Sequence, residues 1–403
     1  MSCKLHWSGK SIQYTTEDIA TVIRVMLEAD PLTQGKHQKD FESVFSEYHG
    51  GRPSFAVSSG AAALELSAIL LDLQPGDEVI IPAHTYCATA IPFARRKAKI
   101  VWADIHPGFR VVMSEQIEPL ITPKTRAIVV VHLYGVNAPM GCIMQLAHKH
   151  NLIVIEDCAQ SLGASYEYKK EWLGTSVVPW GRSGTHGDIS IYSFHGQKNI
   201  TTLGEGGMIT IHDPNLASKI PGLRHNGHRE YPSNKKVDFD MFPAWPYNFS
   251  IGEAQCALGT LLMKRLDDLN ATRFRKARWI IDQLKDIDDL KFQTIPKGST
   301  HVYHLLCARY QNRDVLMERL KQCGIECVTQ YLPLYRQPLF REFKEHDCPN
   351  TDDFYDHALS FPFQVWYSDE QISYLTESIR GAITKWSTEN SAGFAKARTL
   401  CRF

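Results

Sequence analysis

Between Ser54 and His212 the chain repeats one pattern: a short apolar run, a turn, a longer amphipathic stretch, and another apolar run. The runs are SFAV, DEVIIPA, KIVWAD, RAIVVVHLYG, LIVIED, DISIYSF and GGMITIH. Several are apolar at consecutive positions, as strands covered on both faces must be, which predicts a mostly parallel sheet. Ala61–Leu73, Ser114–Leu120 and Cys142–His150 lie between runs and read as helices. Strand alternating with helix predicts an α/β fold with helices on both sides of the sheet.

The character changes after Leu262. LMKRLDDLNATRFRKARWIIDQL reads as one long helix, leading into a second α/β region from Leu290 to Trp386. A chain of 403 residues accommodates two such units. The expected division is 1–262, a large domain with an N-terminal segment, and 263–403, a linking helix, a smaller domain and a polar tail. That tail, STENSAGFAKARTLCRF, is expected to fray.

Composition narrows the function. Lys plus Arg and Asp plus Glu both number 44, so no net charge draws the chain to nucleic acid or to an anionic membrane. No stretch has transmembrane length, and MSCKLHWSGK has no apolar core of signal-peptide length. Ten cysteines lie scattered without a framework, Cys158, Cys256 and Cys307 inside apolar segments, as in a cytoplasmic protein with reduced thiols. Cys323 with Cys327, and His225 with His228, lack a second ligand pair at metal spacing, so no metal site is expected.

In such sheets ligands gather at the carboxyl ends of the strands. Polar residues stand at those ends: Ser58-Ser59-Gly60, His84-Thr85-Tyr86, Glu156-Asp157 and, past the sixth run, Lys198 in SFHGQKNITTLGEGG. An ordinary loop lysine is the competing reading for Lys198; the functional one is an amine that holds a carbonyl cofactor as a Schiff base. Pyridoxal phosphate needs such a lysine, a carboxylate at its pyridine nitrogen, phosphate donors and an aromatic cover. VSSGAAALEL offers a helix start for the phosphate. Asp157 ends an apolar run, where a cation would offset its burial, although backbone amides could do the same. Gln160 is three residues on, Tyr86 could stack on the ring, and Ser193 could add a phosphate hydrogen bond.

VSSGAAAL, PAHTYCATA, VHLYGV, VIEDCAQSLGASY, GDISIYSFHGQKNITTLGEGG and YNFSIGEAQCALG resemble, in order and spacing, the DegT/DnrJ/EryC1/StrS sugar aminotransferases. LTQGKHQKDFE, PLYRQPLF and LSFPF extend the likeness over nearly the whole chain. The resemblance implies a fold-type I pyridoxal-phosphate transferase: a large seven-stranded sheet with one antiparallel strand, a small C-terminal α/β domain, and a homodimer with shared active sites. It implies transfer of an amino group from glutamate to a ketosugar, a nucleotide-linked keto-deoxysugar, or alternatively to a keto-cyclitol. By the same resemblance Lys198 is the cofactor lysine, Asp157 the pyridine partner, Gln160 and Tyr86 flank the ring, and Ser193 with the amides of Gly60, Ala61 and Ala62 cradles the phosphate. Asn248 in YNFS would reach the phosphate of the neighbouring subunit.

Three departures bear on the acceptor or the phosphate. Ala61 stands where the family has Thr, TSVVPWGRSGTH (175–186) is longer than usual, and Gln330-Tyr331 replaces His-Tyr. A cofactor-dependent sugar dehydratase is the neighbouring activity, but that branch carries His in place of the lysine. A non-catalytic regulator would not be expected to keep both Lys198 and Asp157.

Overall fold

The computed structural model describes residues 4–167, 180–228 and 245–400. All seven apolar runs are strands of one sheet: β1 (Ser54–Val57), β2 (Glu78–Pro82), β3 (Lys99–Ala103), β4 (Thr125–Val131), β5 (Ile153–Asp157), β8 (Ile189–Ser193) and β9 (Gly207–Ile211). Between β5 and β8 runs a separate hairpin, β6 (Ser165–Glu167) with β7 (Trp180–Arg182). The sheet order is β1-β9-β8-β5-β4-β2-β3, and β9 alone runs antiparallel to its neighbours β1 and β8. Residues such as Ile80, Val129, Ile155 and Ile191 are fully buried, because helices cover both faces.

The expected helices form, with shifted ends. Gly60–Leu70 begins one residue early and is capped by Ser59, whose Oγ accepts from Ala62 N–H at 3.1 Å. Ser114–Ile117 passes into a tighter turn at Glu118–Leu120, where Pro119 interrupts the α-helical ladder. Met140–His150 ends on Asn151 in the left-handed region.

The long helix is Glu253–Gln283, so the change of character at Leu262 falls inside it. Beyond it, β10 (Lys291–Phe292), β11 (Leu306–Arg309) and β12 (Ala358–Phe361) form a small antiparallel sheet with its own core around Leu306, Leu320, Phe361 and Ile379. Leu5 joins this second core, bonding Gly324 and Glu326 through its backbone, so the first residues pack with the C-terminal unit and not with 1–262. The tail also departs from expectation: a helix runs from Asp369 to Leu400, and only the last three residues lie outside the described chain. Ala, Glu, Lys and Arg favour helix there and no proline stops it. Among the described residues no helix is long and apolar enough to cross a membrane.

Strand order positions the site. β5 lies beside β8, so Asp157 at the end of one and Lys198 just past the other come to the same edge. Antiparallel β9 enters at that edge through Gly207, which pairs with both Val57 and Ser193. A Cβ on Gly207 would sit 2.4 Å from the Ser59 carbonyl, so only glycine lets the start of helix Gly60–Leu70 lie over the ends of β8 and β9. Gly60 is similarly confined, 2.9 Å from the Ser193 Cβ.

Candidate active site

A cavity of about 390 Å³ opens at the carboxyl edge of the sheet. Lys198, Asp157, Gln160, Ser193, Tyr86, Gly60 and Ala61 all line it. Asp157 is buried; its carboxylate accepts from the Thr89 hydroxyl at 2.8 Å and the Ala159 N–H at 3.1 Å. Burial pushes its pKa above the usual aspartate value, against those two bonds and the Lys198 charge. Burial likewise pulls the Lys198 amine down to about 8, with the Asp157 charge opposing. Each group is thus driven toward its neutral form, and the pair gains from a further cation near the carboxylate.

The remaining residues frame this pair. Gln160 is held at both ends: its Oε1 accepts from Tyr134 N–H at 2.8 Å and its Nε2 donates to Tyr331 Oη at 3.2 Å. Tyr86, 56% exposed, meets Tyr331 edge to face with centroids 5.8 Å apart. Ser193 is half-buried, and its Oγ accepts from His195 N–H at 3.3 Å. At the helix start the amides of Gly60 and Ala61 face the cavity without a partner in the chain, whereas that of Ala62 is taken by the Ser59 cap. Asn248 lies apart from this cavity, on the surface, with its Oδ1 accepting from Ser250 N–H at 3.3 Å.

Glu156 and Asp157 are consecutive on β5 and therefore point to opposite faces. Glu156 leaves the cavity to Asp157 and is fully buried on the other side. It meets His132 Nε2 at 2.9 Å and accepts from the N–H groups of Gly184, His186 and Gly187. These bonds hold it ionised well below the usual carboxylate range despite its burial. His132, Glu156 and Cys158 have the spacing of a metal site, but His132 also accepts from Ala138 N–H, so its two nitrogens are both engaged. The described part of the 175–186 segment is what Glu156 anchors, and none of it lines the cavity; 175–179 lie outside the described residues. Cys323 and Cys327 are free, and His225 bonds Ser250 and Gln34.

Sequence reasoning missed Thr89, which sits in the quoted PAHTYCATA but gives no signal of its bond to Asp157, 68 residues away. His195 and Glu205, also on the cavity wall, were legible only as loop residues near Lys198.

Residues 13–380 match the model of the DegT/DnrJ/EryC1/StrS aminotransferase family. The chain belongs to this family. Among relatives it is 33% identical to a UDP-N-acetyl-3-dehydro-alpha-D-glucosamine 3-aminotransferase of Acidithiobacillus ferrooxidans, over 90% of this chain and 93% of the other. It is 33% identical to GDP-perosamine synthase of Caulobacter vibrioides, over 84% and 88%. Among solved structures it superposes on Streptomyces venezuelae DesV, in complex with a ketimine intermediate, with a TM-score of 0.81, 29% identity, and coverage of 91% and 94%.

Like the DegT/DnrJ/EryC1/StrS family, the protein is a pyridoxal-phosphate-dependent aminotransferase. The cavity fits that cofactor on its own evidence: one amine, one buried carboxylate short of a cation, two unpartnered helix-start amides, and a volume of small-ligand size. In cofactor-free protein, Lys198 should react with an amine-directed acylating reagent at a rate rising through about pH 8, where its neutral form becomes dominant. Surface lysines, with pKa near about 10.4, should lag by roughly two pH units. Peptide mapping of the labelled lysine against pH checks this; a Lys198 profile superposed on the surface lysines would be inconsistent with its burial.

Proposed function

We propose that the protein transfers the amino group of glutamate to a ketosugar, a nucleotide-linked keto-deoxysugar, in aminosugar biosynthesis. The observation that carries this reading is the pairing of Lys198 with Asp157 across one cavity. The class of acceptor is supported by the UDP- and GDP-linked sugars in the names of the two relatives above. Bound there, pyridoxal phosphate supplies an aldehyde that bonds amines and a protonated ring that accepts the electron pair left when a carbon–hydrogen bond breaks.

The chain's own residues do the rest. Lys198 would hold the cofactor through its aldehyde, and its Nζ, when free, would take the proton from the donor's α-carbon. When the ketosugar enters, the same Nζ delivers a proton to the carbon that becomes amine-bearing. Asp157, fixed by Thr89 and Ala159, would keep the ring nitrogen protonated. Gly60 and Ala61 amides and the Ser193 hydroxyl would hold the phosphate, with Ala62 contributing through the helix dipole. Tyr86 and Gln160 bound the ring. In this reading 1–262 carries the cofactor, and 263–403 closes the cavity through Gln330 and Tyr331. The free cysteines suit a cytoplasmic enzyme.

The test is to convert the protein to its amino-loaded form with glutamate, then offer a panel of nucleotide ketosugars and keto-cyclitols. Return of the cofactor's visible band with a nucleotide ketosugar is the expected result. Return with a keto-cyclitol alone would replace the acceptor, and no bleaching by glutamate would remove the donor.

The same reading includes a homodimer. Helix Thr16–Glu28 exposes an apolar stripe, Ile19, Ile23, Met26 and Leu27, at helical spacing. Leu32 and Tyr247 are exposed too; Tyr247 precedes Asn248, and the Leu32 carbonyl accepts from Glu253 N–H at 2.9 Å, five residues past Asn248. A second copy covering this face would bring Asn248 to the neighbour's phosphate, a charge-assisted bond of about 1.5–3 kcal/mol. Asn248→Ala should therefore weaken cofactor retention by roughly tenfold or more before it affects chemistry. Mixing Asn248→Ala with Lys198→Ala subunits should partly restore activity, because one site of each mixed dimer is intact. Sedimentation as a monomer, or no recovery after verified subunit exchange, would count against a shared site.

A further inference from the structure

The first described residues form a strap between the C-terminal unit and the loop that carries Lys198. At one end Leu5 is buried in the C-terminal core; its N–H donates to the Gly324 carbonyl at 3.0 Å and its carbonyl accepts from Glu326 N–H at 3.0 Å. Trp7 N–H donates to Glu326 Oε2 at 3.1 Å, and Tyr367 Oη donates to the His6 carbonyl at 3.2 Å. At the other end Ser11 is 1% exposed. Its N–H donates to the Gly196 carbonyl at 2.9 Å, and its hydroxyl donates to the Lys198 carbonyl. Gln197 Nε2 reaches back to the Ser8 carbonyl at 3.4 Å. Ile12 then enters the core that holds Phe194 and Ile200, on either side of the loop. Trp7 and Ser8 also line a cavity of about 40 Å³ that borders Lys198.

Gly196 shows how closely the strap lies on the loop. A Cβ there would sit 2.8 Å from the Gly9 carbonyl, while its next neighbours, atoms of Gly204, are 3.9 Å or more away. Gly196 has no left-handed φ. Alanine is therefore opposed there by the strap and not by the backbone. The loop's own bonds are short in range: Lys198 N–H donates to the His195 carbonyl at 2.8 Å, and Gly196 N–H to the Gly204 carbonyl at 2.9 Å. Such turns fix a loop's shape more than its place. The two Ser11 bonds, to carbonyls on either side of Gln197, tie it to a second, buried element. A displaced Lys198 backbone carries its amine with it, and small displacements of a reacting group cost rate steeply.

We propose that Ser11 is a positioning residue for Lys198, and that with Gly9 it forms a brace holding the lysine's main chain against the C-terminal unit. The assignment rests on the reading of Lys198 above. Ser11 lines neither cavity, so it acts through the Lys198 carbonyl and not on a ligand. Loosening the brace admits water to the amine. Burial is what lowers that amine to about 8, with the Asp157 charge opposing, so the direction expected is upward, toward an ordinary lysine. Asp157, Arg273 and His304, with His195 and Glu205 on the main cavity's wall, are the other ionisable groups around it, and none is altered in the test. Lys10, on the strap itself, lies over the Tyr14 ring.

Ser11→Ala removes the hydroxyl alone, and Gly196→Ala presses on the Gly9 carbonyl; both are made in the full chain, singly and together. In cofactor-free protein the pH midpoint for acylation of Lys198 should rise by at least about half a unit in each, with the surface lysines unmoved. In loaded protein, band loss with glutamate should slow by about threefold to tenfold in each single variant. The double variant should be within about twofold of the slower single one, because both changes loosen one brace. Effects that multiply would overturn the shared brace. A response in Gly196→Ala alone would overturn the part given to Ser11. Lower melting temperatures with an unmoved Lys198 midpoint and an unchanged half-reaction would overturn the proposal and leave the strap as packing. Borohydride labelling tests the cofactor assignment separately: a pyridoxyl group on another lysine would remove that reading, while the acylation midpoint, measured without cofactor, still decides the brace.

Discussion

Lys198→Ala should give a folded protein whose turnover falls by at least about 10⁴-fold, since one amine both bonds the cofactor and carries the proton. The side chain borders two cavities, and its charge is desolvated where it stands. Melting temperature should therefore hold or rise slightly. Borohydride reduction of the loaded parent protein, followed by peptide mapping, should place the pyridoxyl group on the peptide containing Lys198. A label on another lysine would falsify the assignment. Bound cofactor in the variant should be exchangeable and lack any borohydride-stable link.

Asp157→Asn should fold, because its Oδ1 can still accept from Ala159 N–H while its Nδ2 donates to Thr89 Oγ1, whose own hydrogen can turn to Thr85 Oγ1 at 3.0 Å. What it loses is the negative charge opposite the pyridine nitrogen. The half-reaction with glutamate should slow by about tenfold to a hundredfold, or roughly 1.4–2.7 kcal/mol in barrier. Stopped-flow measurement of band loss reads this directly. An unchanged rate would reassign Asp157 as a structural carboxylate held by Thr89 and Ala159. Thr89→Val supplies a second reading: it removes one of the two bonds that favour the ionised carboxylate, and should slow the same half-reaction less than Asp157→Asn does.

The seven strands were legible because each is buried on both faces and so is apolar at successive positions, a signal that needs no partner to interpret. Asp157 and Lys198 were legible because polar residues at strand ends converge whatever the strand order. What the sequence hides is anything set by contacts distant in the chain. Thr89, which follows β2, finds Asp157 only after β4 has paired with both β2 and β5. Leu5 joins the C-terminal core across more than three hundred residues of intervening chain. The Ala62 amide illustrates a finer limit: the motif puts it at the helix start, but the Ser59 cap competes for it. The tail is polar, yet its Ala, Glu, Lys and Arg are helix formers, and Asp369–Leu400 is one helix.

The alternation of Glu156 and Asp157 on β5 has a consequence for how this scaffold can change. Inserting or deleting one residue anywhere in Ile153–Asp157 would turn the strand half a period and exchange the two carboxylates. The loop at Gly184–Gly187 would lose its anchor in the same event that the cavity lost its acid. No single substitution could repair both faces. New acceptor preferences in descendants of this chain should therefore arise from altered lengths in the loops, with β5 kept at constant length. A deep library of one-residue insertions and deletions should show β5 as a stretch from which no active clone is recovered.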